Sequence, residues 1–276
     1  MNRLSLQDRA RILSCLVEGN SMRATTRMIG VSINTVTKLL VDVGTACAEY
    51  QHQTLRKLPC KRIQCDEIWS FCGMKQKNVP ASQKGAHGVG DVWTWTSICA
   101  DTKLVPSYFV GHRDAQSAHM FVQDLAWRMA GRIQLTTDGN KRYLDAVEGA
   151  FGHEIDYAMV VKMYGNAFGN SQERRYSAGE CCGMVRGVVC GNPDEVDMST
   201  SFVERQNLTM RMGMRRFTRL TNGFSKKIEN LEHAVALHFM HYNFGRIHKT
   251  LRVTPAMEAG VSDRVWSLEE IAALSH

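Results

Sequence analysis

The first part of the chain spaces its apolar residues as short helices do. Between residues 6 and 18 they recur every three or four positions. Ser21 and Ser32 each precede another such segment and can cap it, and Gly30 lies between the two as a turn residue. The pattern predicts three short helices, the third ending at Gly44, as is typical of a helix-turn-helix.

The third predicted helix is the candidate DNA reader of residues 1 to 44. A helix-turn-helix motif inserts the N-terminal end of its second helix into the major groove, and that helix is the third one of this chain. The residues expected to face the groove are Asn34, Thr35 and Lys38. The alternative is a helical packing module that binds no ligand.

Residues 45 to 60 form a polar connecting helix or linker, and the pattern after Pro59 alternates strands and helices. Runs of β-branched and aromatic residues separated by turn residues predict strands, and the longer apolar periodicity predicts helices. Strands are predicted at 61–71, 92–100, 104–110, 133–137 and 156–161, and helices at 115–130, 141–149, 199–219 and 224–244. The first three strands form an antiparallel meander in a mixed five-stranded α/β sheet. A loop insertion is predicted at 164–198, and a C-terminal tail at 258–276.

The predicted helix at 199–219 separates an apolar side from a charged one. Its apolar side consists of Val203, Met210, Met214 and Phe217. Glu204 stands near the helix start, and five arginines follow it: Arg205, Arg211, Arg215, Arg216 and Arg219. An acid followed by basic residues suits a metal ligand placed beside a polyanion. The alternative is a solvated basic helix with one isolated acid.

Two further acids, Asp66 and Asp138, occupy positions that suggest a function. Asp66 lies in the middle of the first predicted strand, where acids are depleted. The neighbouring Glu67 should point to the opposite face, so only one of the two is expected in a site. Asp138 directly follows the fourth strand, where α/β folds place ligands, although it could instead cap the next helix. Together with Glu204, Asp66 and Asp138 could hold two Mg²⁺ ions about 4 Å apart for phosphoryl transfer.

The charge of the chain is concentrated near its C-terminal end. The formal net charge is +7, and residues 199 to 252 contain ten Lys or Arg against three Glu. Such a basic region is the electrostatic signature of a nucleic-acid binder. No apolar run has the length of a membrane span, so we expect no membrane partner and a cytoplasmic, nucleoid-associated protein.

The nine cysteines are an odd number and include no CxxC pair, which favours reduced thiols. Three of them lie in the predicted loop: Cys181, Cys182 and Cys190. Because their spacing is not that of a zinc site, no metal role is expected for them.

Four segments of the chain resemble the catalytic segments of DDE-type insertion-sequence transposases, and more narrowly those of the insertion-sequence-one family. They are QCDEIWSF, TTDGN, STSFVERQNLTMRMGMRRFTR and YNFGRIHKTLRVTP, and the resemblance covers residues 62 to 257. It implies a ribonuclease-H-like, integrase-like catalytic core preceded by an end-binding helix-turn-helix. Some members carry a zinc-finger segment ahead of these helices, and no such cysteine cluster precedes Leu6. A shorter subgroup and a truncated copy therefore stay open.

By this resemblance, Asp66, Asp138 and Glu204 are a metal-binding catalytic triad that uses Mg²⁺, with Mn²⁺ able to substitute. The implied function is that of a transposase, which binds terminal inverted repeats, cleaves a strand and joins the end to target DNA. The protein is expected to act as a homo-oligomer on DNA. Four arginines are expected to clamp phosphates near the scissile bond: Arg205, Arg211, Arg215 and Arg216. The alternatives are a non-catalytic regulator derived from a transposase and a ribonuclease H, although a hybrid-cutting nuclease needs no helix-turn-helix.

Overall fold

The computed structural model describes residues 4–86, 88–165, 181–218 and 221–275, and Arg219 lies outside them. Strands alternate with helices through the middle of the chain. The strands are β1 (Arg62–Cys72), β2 (Gly90–Cys99), β3 (Tyr108–Gly111), β4 (Ile133–Asp138), β5 (Ile155–Tyr164) and β6 (Cys181–Cys190). The helices are α1 (Leu6–Val17), α2 (Met22–Ile29), α3 (Ile33–Thr54), α4 (Ala115–Arg128), α5 (Arg142–Phe151), α6 (Ser201–Gly213), α7 (Ile228–Met240), α8 (Pro255–Glu258) and α9 (Leu268–Ala273).

In the described part of the chain, six strands form one mixed sheet in the order β3-β2-β1-β4-β5-β6. The antiparallel meander of β1, β2 and β3 is confirmed. β4 joins β1 in parallel, β5 joins β4 in parallel, and β6 returns antiparallel to β5. Mixed pairing with helices on both faces is compatible with a ribonuclease-H-like architecture.

The prediction of a five-stranded sheet with a loop over 164–198 is wrong, because 181–190 forms the edge strand β6. Nearly all of β6 is exposed, so it has no buried face. Without a buried face, a strand does not alternate apolar and polar residues, and Gly183 and Gly187 further weaken the strand pattern.

The predicted third strand begins four residues too early. Residues 104 to 107 are buried, but β3 starts only at Tyr108. The backbone of Val105 bonds instead to the buried side chain of Asn243, with 3.0 Å from Val105 N to Oδ1 and 2.9 Å from Nδ2 to Val105 O. The apolar run therefore predicted burial correctly, but the backbone hydrogen-bond partner comes from the chain after α7.

Two apolar cores cover the two faces of the sheet. One is formed by α4 and α5 and centres on Trp95, whose ring lies 5.5 Å from that of Tyr143. The other lies under α6 and α7. The predicted apolar side of α6 is confirmed, because all four of its residues are buried in this second core: Val203, Met210, Met214 and Phe217.

The three N-terminal helices form as predicted at their starts. Ser21 Oγ accepts from Ala24 N at 3.0 Å, and Ser32 Oγ accepts from Thr35 N at 3.1 Å, so both serines are helix caps. The predicted end of the third helix at Gly44 is wrong, because α3 continues to Thr54. A Cβ atom at Gly44 would lie 2.5 Å from Cβ of His233, so this glycine permits close contact with α7 rather than ending the helix.

The C-terminal segment packs on the N-terminal helices. In α9, Ile271 and Ala272 are fully buried, and the Arg9 guanidinium on α1 donates to the carbonyl oxygens of Ala272 at 2.5 Å and Ser275 at 2.6 Å. The side chains of α1, α3 and α9 belong to the same core as α4 and α5. The domain boundaries drawn from the sequence stay predictions. None of the described helices combines the length and the apolar character that a membrane span requires.

Candidate metal centre and active site

Asp66 and Asp138 meet where β4 ends beside β1. The last paired residues of these parallel strands are Cys65 and Thr137. Asp66 and Asp138 each follow that pair directly, at the carboxyl end of the parallel ladder. β1 itself continues because β2 still pairs with it, with Asp66 opposite Thr96. Asp66 therefore lies inside β1 at the level where the neighbouring strand β4 has ended.

Glu67 belongs to the same cluster, so the prediction that only one of the adjacent acids can enter the site is wrong. Carboxylate oxygens of Asp66, Glu67 and Asp138 all lie within 4.8 Å of one another. The end of β4 leaves the edge of β1 open at this level, and the longer Glu67 side chain reaches the gap from the other face. Strand periodicity describes the direction of Cβ, not the reach of a glutamate beside an open edge.

The Glu67 carboxylate is held in place by hydrogen bonds and an ion pair. Its side chain is fully buried, and it accepts from Arg113 Nε at 3.0 Å and from Asn140 Nδ2 at 3.2 Å. Arg113 also reaches Asp138, with 3.6 Å between Nη2 and Oδ2. The cluster thus includes one cation that partly balances its negative charge.

Asp138 is not the cap of the following helix. The residue that precedes α5 is Lys141, whose side chain makes no capping bond. Asp138 Oδ1 accepts from the backbone N of Asn140 at 3.0 Å, in the turn after β4. This turn holds the carboxylate at the strand end, towards the cluster.

The clustered carboxyl groups resist ionisation. Burial, reinforced by Asp138 and Glu67, raises the pKa of Asp66 to about 7. The pKa values of Glu67 and Asp138 are also raised, in each case chiefly by burial. Grouped carboxylate oxygens that repel one another in this way are the hard ligands that a divalent cation such as Mg²⁺ prefers. These residues therefore fit a divalent metal.

Glu204 lies on the wall of the same open cavity, which measures about 990 Å³, but outside the tight cluster. Its carboxylate accepts from Thr200 Oγ1 at 2.7 Å and forms an ion pair with Lys162 on β5. Its charge nevertheless contributes to the raised pKa values of Asp66 and Asp138. The structure thus brings together two of the three predicted acids and places the third beside them.

Helix α6 is held over β1 by residues that the sequence alone did not indicate. Gln64 Oε1 accepts from the backbone N of Phe202 at 2.8 Å and of Val203 at 3.2 Å, which satisfies amides in the first turn of α6. Asn207 Nδ2 donates to Asp66 Oδ2 at 2.8 Å. Because Asn207 follows Glu204 by three residues on one helix face, its spacing could have pointed to the site.

The predicted DNA-binding residues lie in three places. Arg211 lines the acidic cavity, and Arg205 is exposed on α6. Arg215 and Arg216 lie in the 3₁₀ turn after α6 and line a different cavity. At the start of α3, Asn34 and Lys38 are exposed and Thr35 is half-buried. The DNA contacts of these residues stay predictions.

Comparisons with known proteins find similarity among solved structures alone. No family model and no curated protein matches the sequence significantly. Among solved structures, the fold is similar to a piggyBac transposase in a synaptic complex with hairpin DNA, studied by cryo-EM. The TM-score is 0.43 and the identity 12%, over 99% of this chain and 72% of that one. A likeness at this level does not assign the chain to a family.

Proposed function

We propose that this protein is a metal-dependent DNA transposase of the DDE type, related to the insertion-sequence-one family. The observation that carries the proposal is the cluster of Asp66, Glu67 and Asp138 oxygens within 4.8 Å, in an open cavity that Glu204 also lines. The sequence motifs around these acids support the same class. We further propose terminal inverted repeats and target DNA as the bound DNA, and a homo-oligomer as the active form.

The acids serve in this proposal as ligands of a divalent cation, with Mg²⁺ the expected ion. When bound, such a cation supplies Lewis-acid activation of a water or 3′-hydroxyl and stabilises the leaving oxygen. Asp66 acts from the middle of β1 and Asp138 from the end of β4, and Asn207 orients Asp66 through its bond to Oδ2. Arg113 holds Glu67 in place through its ion pair and offsets part of the effect of burial on the pKa of Glu67.

Basic residues on the cavity wall receive the DNA backbone. Arg211 lines the cavity on α6, beyond Asn207 and on the same side as Glu204. Lys162 forms an ion pair with Glu204. When Glu204 turns towards the other acids, Lys162 becomes available for a backbone phosphate. If Lys162 exchanged Glu204 for a phosphate in this way, DNA entry would be coupled to completion of the acid triad.

The test is metal-dependent cleavage and joining of a duplex taken from the DNA that flanks the gene. The variants are Asp66→Asn and Glu204→Gln, and Glu148→Gln, which removes an exposed charge from α5, is the control. Loss of metal stabilisation worth several kcal/mol should lower the cleavage rate about a thousandfold or more in both site variants. Duplex binding should persist, because neither variant removes a basic residue. Wild-type rates in Asp66→Asn would refute the proposed chemistry.

The ion pair between Glu204 and Lys162 favours one alternative, a non-catalytic DNA-binding regulator derived from a transposase. In that case the third acid stays neutralised, and the cavity holds DNA without cutting it. Specific binding without products in wild type and variants alike, with either Mg²⁺ or Mn²⁺ present, would support the regulator.

A further inference from the structure

A second cavity, of about 780 Å³, lies where the N-terminal helices meet the end of α6 and the start of α7. Its charged and polar side chains come from two parts of the chain, the N-terminal helices and the region from the end of α6 into α7. They contribute Ser21 and Arg23 from α2 and its cap, Arg215 and Arg216 from the turn after α6, Lys226 from the chain before α7, and His238 from α7. It is separate from the cavity that the acids line.

The charge in this cavity is unbalanced. Four cationic side chains line it, and no Asp or Glu is among its described lining residues. Arg216 is half-buried and donates to Ser225 Oγ at 2.8 Å, a neutral partner, and no carboxylate of the described residues lies within ion-pair distance of it. Burial lowers the pKa of Arg216 to about 10, which still leaves it charged at neutral pH. A partly buried guanidinium without an acid favours the binding of an anion.

A buried ring nitrogen adds an independent observation. The His238 residue lines the cavity and is 6% exposed, and its buried Nε2 has no hydrogen-bond partner among the described residues. Burial lowers the pKa of His238 to about 3, so the ring is neutral. A neutral imidazole can donate one hydrogen bond to a ligand oxygen without adding charge.

We propose that this cavity binds a backbone phosphate of duplex DNA at a second point, away from the acidic site. The inference rests on DNA as a partner in the proposed function, but it does not require catalysis. The cavity adjoins Ile33 and Thr37 in the first turns of α3, next to the residues predicted to face the groove. Backbone contacts that flank a reading helix are how such motifs set their register on DNA, which favours DNA over an acidic peptide.

Helix α6 sets the distance between the two sites. Glu204, near its start, lines the acidic cavity, and Arg215, eleven residues later, lines the basic one. Over the nine residues from Glu204 to the end of α6 at Gly213, a helical rise of 1.5 Å per residue gives about 14 Å. Consecutive phosphates on one strand advance by about 3.4 Å along the duplex, so the second phosphate is about four base pairs from the scissile one. Helix α6 would then connect the phosphate site beside the reading helix with the acidic site.

The experiment measures binding of a fluorescein-labelled duplex of flanking DNA by anisotropy, in EDTA, over a series of salt concentrations. Arg216→Gln and Arg23→Gln are the test variants. Arg23 is exposed at the rim, so its replacement keeps the test valid if the half-buried Arg216 is needed for folding. Each lost phosphate contact should reduce the slope of log affinity against log salt by about 0.9. Lys61→Gln, an exposed charge outside the cavity, should leave the slope at its wild-type value.

Wild-type slopes in both Arg23→Gln and a folded Arg216→Gln would overturn the proposal. So would unchanged DNA binding accompanied by loss of binding to a poly-glutamate peptide, because the cavity would then hold a protein acid. Because chemistry is blocked in EDTA, a failure of the catalytic proposal leaves this result interpretable. Reduced slopes together with absent cleavage by the wild type would refute catalysis and support the phosphate site.

Discussion

Three carboxyl groups, two in the middle of β1 and one at the end of β4, make each other harder to ionise. Burial is the main cause of the raised pKa of each group, and mutual repulsion adds to it for Asp66 and Glu67. Arg113 relieves part of the repulsion, since it contacts both Glu67 and Asp138. Such a site costs stability when its groups are ionised and no cation is present, and it regains that stability when a divalent ion binds.

The stability of the metal-free protein should therefore depend on the state of Asp66. With a pKa near 7 in the folded chain and an ordinary value of 3.8, the group favours folding fully below about pH 4. This contribution falls as the pH rises and is lost above pH 7, because only the unfolded chain ionises readily in that interval. From pH 5 to pH 8, we expect Asp66→Asn to gain on the order of 2 kcal/mol in unfolding free energy relative to wild type.

Urea titrations in EDTA at several pH values measure this difference, with Glu148→Gln as the matched removal of an exposed acid. Adding Mg²⁺ should stabilise the wild type and not Asp66→Asn. An Asp66→Asn curve parallel to that of the wild type over the whole range would contradict the raised pKa.

Among single residues, the sequence predicted Asp66 and Asp138 as members of the cluster and wrongly excluded Glu67. Asp66 could be chosen because an acid within a strand is unusual, and Asp138 because it follows a strand end, where α/β folds place ligands. Glu67 was assigned to the far face because periodicity contains no information about where the neighbouring strand stops. The ion pair of Glu204 with Lys162 could not be predicted from the sequence either, because it joins residues from β5 and α6.

At the scale of elements, the contact between α3 and α7 depends on one glycine. A Cβ at Gly44 would lie 2.5 Å from Cβ and 2.7 Å from Cα and the carbonyl oxygen of His233. Because these are backbone or near-backbone atoms, they cannot move without shifting α7. Both helices contribute to the core that also contains α1 and α9.

Gly44→Ala should therefore destabilise the protein by about 1 to 3 kcal/mol, even though alanine is the better helix former. Gly149→Ala on α5 is the matched control, because its Cβ would meet only the ring of His119 at an ordinary 3.6 Å. That substitution should stabilise by up to about 1 kcal/mol through helix propensity alone. Thermal melts of the two variants check the prediction, and equal shifts of the melting temperature in the same direction would contradict it.

Elements long enough to show a buried stripe or face in their pattern were predictable, and an exposed strand was not. The helix α4 and the strands β1 and β4 follow their patterns closely, because each buries a continuous stripe or face. The exposed strand β6 has no such stripe. Gly44 was interpreted as a helix end because a glycine required by close helix packing has the same sequence pattern as one that ends a helix.

At the scale of the whole molecule, the N-terminal helices are joined to the C-terminal segment by contacts that no local pattern contains. The Arg9 guanidinium donates to the carbonyl oxygens of Ala272 and Ser275, more than 260 residues away along the chain. These bonds satisfy carbonyls at the end of α9, and Ile271 and Ala272 are fully buried beside them. The sequence predicted a tail here because a six-residue helix has too few turns to show a periodicity.

Arg9→Gln should destabilise the entire chain rather than release its N-terminal helices alone. Charge-assisted hydrogen bonds of a buried arginine contribute about 1.5 to 3 kcal/mol, and glutamine is too short to reach both carbonyls. Arg11→Gln on the same helix is the matched control, since Arg11 is exposed and its ion pair with Asp8 is 3.5 Å long, so its effect should stay within about 0.5 kcal/mol. Because α1, α3 and α9 share one core with α4 and α5, calorimetry should record a single transition that moves to lower temperature in Arg9→Gln. A separate early transition, with the main one unshifted, would instead mean that the N-terminal helices fold independently, in line with the predicted helix-turn-helix domain of residues 1 to 44.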